Sequence, residues 1–175
     1  MLTAAALFSL FSLAQTPPPA RPRPAAPVAT SKPVATLGQL MKGTLYPASN
    51  VIFSAQDKNP NDAPPAKDPS TATDPLASAY GKWEAVENGA LVLNEVANLL
   101  LTPGRKCSNG RDVPMKNADW PKLVQGLRDA GLTVYMAAQT KNQDKIVDAA
   151  DAMTTACANC HDKYRDTPTP ADRCK

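Results

Sequence analysis

Histidine is almost missing from this chain: 175 residues contain one, His161. Whatever His161 binds therefore meets no competing imidazole, and an additional protein histidine cannot join it at the same centre. Glycines are few, eight in all, and no segment reads as strand-rich, so an all-α reading is favoured. A strong charge of one sign is lacking too. Lys and Arg exceed Asp and Glu by three, too little to argue for a nucleic-acid partner. The apolar run Leu2 to Leu13 is too short to cross a bilayer, and no Lys or Arg precedes Arg21. Because Ser12-Leu13-Ala14 follows the small-x-small cleavage pattern, residues 1–14 are expected to be a signal peptide of an exported, periplasmic protein. No cysteine follows that cut, so a lipid anchor is not indicated, and no stable membrane span is expected after signal removal. The competing reading of this run is a short buried or membrane-lying helix.

What is present is concentrated near the end of the sequence. Cys157-Ala158-Asn159-Cys160-His161 is the C-x-x-C-H signature of covalent haem attachment. Each thiol adds across a haem vinyl group to give a thioether, and the adjacent imidazole is placed to ligate the iron. Three other readings compete. A thioredoxin-type dithiol belongs beside a βαβ pattern, which is absent here. Zinc needs a second compact pair of ligands, whereas Cys107 and Cys174 stand singly. A disulfide between Cys157 and Cys160 leaves the histidine unexplained.

Residues 15–32, with Pro17-Pro18-Pro19-Ala20-Arg21-Pro22-Arg23-Pro24, are dense in proline and are expected to form an extended tether. Residues 33–175 are one domain by length. A first helix is predicted over Val34 to Ala55, carrying Leu37, Leu40, Met41, Leu45, Ile52 and Phe53, with a kink at Pro47. A second runs from Pro75, capped by Asp74, to Leu101, with Leu76, Tyr80, Trp83, Ala90, Ala97 and Leu101 on one face. A third covers Ala118 to Thr140 and buries Leu123, Val124, Leu127, Val134 and Ala138. The last starts at the cap Asn142 and stops before Pro168; Ile146, Ala149, Ala150, Met153, Cys157, Cys160, His161 and Tyr164 share its inward face. The polar connection from Gln56 to Asp74 is expected to be a mobile excursion. The expected fold is all-α, an up-down-up-down four-helix bundle with covalently bound haem, preceded by the proline-rich tether.

Cys157-x-x-Cys160-His161-x-x-Tyr164-Arg165 on the last helix of such a bundle resembles the class II cytochromes c, the cytochrome c-prime group. The resemblance covers about residues 33 to 166. It is strongest on the last helix; the tether, the long first connection and Pro47 depart from compact members of the group. It implies one haem c held by Cys157, Cys160 and His161, with the distal side supplied by the first helix. In low-spin members a methionine there ligates the iron; in high-spin members a bulky apolar residue covers an open site.

In an up-down-up-down bundle the first helix begins where the fourth ends, so Met41, about two turns in, lies level with His161. Met153 shares His161's helix, Met115 precedes the third helix and Met136 lies toward its far end, which leaves Met41 as the expected second iron ligand. Otherwise Leu40 or Leu45 walls an open site. Arg165 resembles the family's basic residue beside the haem and is expected to pair with a propionate, or to be a helix-end charge complementing the dipole. Tyr164 and Trp120 are expected on the ring or in the plain core. The second and fourth helices end together, so Cys107 and Cys174 are expected to form a disulfide, the alternative being free or chain-linking thiols. The expected function is electron transfer between exported redox partner proteins, without enzymatic activity. The alternative is a five-coordinate haem binding small gases such as nitric oxide or carbon monoxide. Bundles of this kind often pair through helix faces, so a homodimer is a further expectation.

Overall fold

The computed structural model describes residues 32–174; the expected signal segment and the proline-rich segment up to residue 31 lie outside the described residues. Among these residues every regular element is helical, apart from an isolated bridge between Lys106 and Asp112. Four long helices form. Helix α1, residues 37–57, joins Leu37–Leu40, a π turn Met41–Leu45, and Tyr46–Asp57. Helix α2, residues 82–101, is Lys82–Val96 continued by a 3-10 turn, Ala97–Leu101. Helix α3 is Trp120–Gln139. Helix α4, residues 143–165, is Gln143–Cys160 continued by a second π turn, His161–Arg165.

Local chemistry explains most of these boundaries. Thr36 and Gln39 form a reciprocal capping box that opens α1. Pro47 has no N–H to offer the Gly43 carbonyl. The irregularity expected there takes the form of a wide turn just ahead of it, in which the Tyr46 N–H reaches five residues back to the Met41 carbonyl. Asn142 caps α4 as expected, its side chain accepting from the Lys145 N–H.

The start of α2 differs from expectation. Asp74 does cap a turn beginning at Pro75, but that turn is a separate 3-10 element, Pro75–Ala77. The backbone then turns away, with Lys82 at φ 56°, before the α-helix begins. The backbone groups that a longer helix would use are bonded elsewhere: Ala79 N–H donates to the Pro69 carbonyl at 2.9 Å. Tyr80, outside the helix, is accordingly 70% exposed instead of buried. Phe53 and Leu101 also sit at the exposed edge of their faces, and Leu123 is only half-buried. The polar connection after α1, expected to be a mobile excursion, is instead anchored: Pro60 is buried and Trp83 Nε1 donates to Asn61 Oδ1 at 2.9 Å.

Hydrogen bonds between helix ends fix the direction of each helix. The Leu37 N–H, at the start of α1, donates to the Lys106 carbonyl just beyond α2. Trp120 Nε1, at the start of α3, donates to the Leu100 carbonyl at the end of α2. Gln143 at the start of α4 reaches the Ala55 and Gln56 carbonyls at the end of α1. Tyr164 at the end of α4 reaches Asp119 at the start of α3. Neighbours therefore run antiparallel, and α1 packs against α4 to close the four-helix arrangement. Two glycines let α2 be approached closely from both sides. A Cβ on Gly131 would lie 2.8 Å from the Asn94 nitrogen, and one on Gly89 would lie 2.9 Å from the Ala48 oxygen.

Candidate cofactor site

One end of the four-helix arrangement is not filled by its own side chains. A cavity of about 550 Å³ lies between the first half of α1, the end of α2, the start of α3 and the end of α4. That volume suits an organic cofactor and is far larger than a metal ion needs. Its walls are mostly apolar, with Leu37, Leu45, Leu93, Val124 and Leu127 among them.

Cys157, Cys160 and His161 all line this cavity. They stand at i, i+3 and i+4 near the end of α4, the spacing that places side chains on one helix face. Both thiols are free and half-buried. Burial raises the pKa of Cys157, and it pushes Cys160 up to about 11, so both are held as protonated thiols at neutral pH. His161 is half-buried; burial, then the positive charge of Arg165, lowers its imidazole pKa. A neutral imidazole is the form that ligates a metal.

Another wall comes from the π turn of α1. Met41 and Leu45 line the cavity, as do Lys42 and Tyr46 beside them. Met41 and His161 are thus brought to one chamber from α1 and α4. Leu40, considered as a distal wall, is buried in the core and is not among the cavity residues. Met153 is fully buried within the bundle and does not reach the cavity either.

Tyr164 and Trp120 both line the cavity and meet edge to face, with ring centroids 5.0 Å apart. The Tyr164 hydroxyl donates to Asp119 Oδ1 at 2.8 Å and accepts from Asn117 Nδ2 at 3.2 Å. Lys163 Nζ lies 2.5 Å from the other Asp119 oxygen, Oδ2. These contacts moor the π turn of α4 to the start of α3. Arg165 stands at the exposed rim of the cavity, where its guanidinium grips Asp166 at 2.6 Å.

The wall behind the cavity is stapled. Cys107 and Cys174 form the expected disulfide, with Cα atoms 5.0 Å apart, and Cys174 itself lines the cavity. Arg105 is 4% exposed and donates from Nε to the Leu99 carbonyl at 3.0 Å and from Nη1 to the Ala35 carbonyl. It thereby joins the end of α2 to the chain entering α1. Burial lowers its pKa. Nothing in the sequence singled out Arg105, because an arginine after a helix end reads as a solvated charge. Leu93 and Leu127 were equally hidden, since a leucine at helical spacing is indistinguishable from core.

Comparison with protein-family models, with curated proteins and with solved structures finds no match.

Proposed function

We propose that this chain is an exported monohaem c-type cytochrome of the class II kind, acting in electron transfer. The observation that supports this best is the meeting of Cys157, Cys160, His161 and Met41 around one apolar cavity of cofactor size. The residues fit the group: two free thiols suit two thioethers, a neutral imidazole suits the proximal position, and a methionine lines the same chamber from another helix. When bound, haem would supply a one-electron iron couple. The protein's own part is to favour a neutral His161, exclude water with leucine walls, and set Arg165 at the rim, where its charge would suit an acidic group of the cofactor. Methionine ligation favours electron transfer, because the iron keeps its ligands in both redox states and its potential is raised.

Gas binding is the second reading, supported by Leu37 and Leu45, which stand on the same wall as Met41 and would cover an open distal face. The visible spectrum of the ferrous, haem-loaded protein separates the two. A sharp low-spin spectrum unchanged by carbon monoxide is expected if Met41 ligates; a high-spin spectrum converted by carbon monoxide would favour gas binding. Covalent attachment is tested by Cys157→Ala/Cys160→Ala, which is expected to lose its haem on denaturation and acid–acetone extraction. Retention of the full haem complement by that variant would refute the attachment site.

A further inference from the structure

A plane drawn through the middle of the four helices separates charge of opposite sign. The half that contains the cavity, residues 32–47, 92–129 and 154–174, has eleven Lys and Arg against seven Asp and Glu. The other half, residues 48–91 and 130–153, has five against nine. The described chain is neutral in sum, so a purely compositional view shows no polarity. Only the antiparallel arrangement, which returns the starts of α1 and α3 to the ends of α2 and α4, gathers the excess cations at one end.

The distribution within that end is also informative. Four of its carboxylates are each held by one cation: Asp112 by Lys106, Asp119 by Lys163, Asp166 by Arg165 and Asp172 by Arg111. Lys42, Lys116 and Lys122 are exposed and have no carboxylate within ion-pair distance among the described residues. Lys42 lies on the cavity rim with Tyr46 and Arg165. Of these three, Lys42 stands beside the place where the cofactor edge would approach the surface, and with Lys116 and Lys122 it belongs to the half that carries the net positive charge.

We propose that the cavity end is a docking face for an acidic protein partner, and that the opposite, acidic end orients the molecule as it approaches. This rests on the cytochrome reading, because it makes the same end the point of electron exchange. Separated charges of opposite sign turn the molecule in a partner's field, and complementary patches raise association rates at low salt. An anionic membrane is the less suitable occupant. Glu95, Asp129 and Asp162, which no cation among the described residues holds in an ion pair at this end, repel a uniformly negative surface, whereas they can meet counterparts on a protein face of mixed charge.

The test uses the full chain with haem attached. Ferricyanide, a trianion, takes one electron from the ferrous protein and leaves as ferrocyanide, and the rate is followed against ionic strength. K116E/K122E reverses two charges at the cavity end; K67E/K145E makes the same net change at the far end. The first variant is expected to slow the low-salt rate about tenfold and the second about twofold or less, both differences fading with salt. Equal effects would overturn the proposal. Titration with poly-L-glutamate, followed by amide chemical shifts, is expected to move residues 40–46 and 105–122, and not in K116E/K122E. Shifts spread evenly or centred on the far half would overturn it too. Sedimentation with phosphatidylserine vesicles through the same lysines, with no response to poly-L-glutamate, would assign the face to a membrane and reject a protein partner. A chain that accepts no covalent haem would refute the cytochrome reading separately, and the poly-L-glutamate titration would still decide the surface.

Discussion

The two ends of this four-helix arrangement solve the packing problem in opposite ways. Away from the cavity, small residues bring the backbones together: Ala55, Ala138, Ala149 and Ala150 are buried, and Gly89 meets the Ala48 carbonyl at a distance no Cβ would tolerate. Dense packing of this kind needs no staples. At the cavity end the helices stand apart, and the space between them is lined but not filled. There the chain uses a disulfide, a buried guanidinium and the Tyr164–Asp119–Lys163 network instead. Both π turns also lie at this end, one carrying Met41 and the other His161. A protein that leaves a cavity of this size gives up part of its core there and must hold the walls by other means.

Breaking the staples should therefore damage one end and spare the other. The largest expected effect is from Cys107→Ala/Cys174→Ala. The disulfide closes a loop of sequence separation 67. Chain entropy predicts a loss of about 4 kcal/mol on its removal. Denaturant unfolding measures this, and hydrogen exchange should localise the early opening to residues 102–119 and the tail. Uniformly faster exchange in all four helices would break the comparison.

Arg105→Ala should follow, at about 3 kcal/mol, because it strips two part-buried carbonyls of a charged donor. Its thermal unfolding should be compared with Arg105→Lys, which restores one bond and should recover only part of the loss. Gly131→Ala tests the tight packing instead. The new methyl group would press on the Asn94 nitrogen, at a cost of about 2 kcal/mol. This loss should appear in the melting temperature while the visible spectrum of the haem-loaded protein stays unchanged.

The smallest effect is expected from Tyr164→Phe, about 1 kcal/mol for one hydrogen-bonded hydroxyl. It has a pH signature. The hydrogen bond from Lys163, and then that from Tyr164, hold the Asp119 carboxyl below its ordinary range. A depressed carboxylate stabilises the fold above its unfolded pKa, and that stabilisation is lost as pH falls through the folded value. Removing the Tyr164 donor raises the folded value, so acid unfolding of the variant should begin at higher pH than in the parent. An unchanged acid transition would remove Tyr164 from the mooring.

The parts of this structure that were legible in the sequence are those fixed by local chemistry. The Asn142 cap, the inward face of α4 and the thiol and imidazole spacing all depend on residues within a few turns of one another. Pairing of Cys107 with Cys174 was legible as well, since it follows from topology alone. Pro75 misled because its signature is real but short-lived: Asp74 caps only a 3-10 turn, and Ala79 then gives its N–H to Pro69. No local propensity announces that competition. Pro47 announced an irregularity without its form, because only contacts with the rest of the fold choose between a bend and a wide turn. Cavity walls were the least legible, since Leu93 and Leu127 have the same spacing whether they meet another side chain or a cofactor.

The staple also has a consequence for biosynthesis. The partner of Cys107 is the last of the four cysteines in the order of synthesis, and Cys157 and Cys160 emerge before it. An oxidising enzyme meeting the growing chain encounters the wrong partners first. On the cytochrome reading proposed above, premature pairing of Cys107 with either of them would consume a thiol needed for haem attachment and strand Cys174. Four cysteines allow three complete pairings, and only the one that joins Cys107 to Cys174 closes the native ring; on the proposed reading its counterpart, Cys157 to Cys160, would have to stay open or be reduced again. If haem is attached as proposed, the maturation of this chain is a problem of timing, in which two chemistries compete for one small set of sulfur atoms.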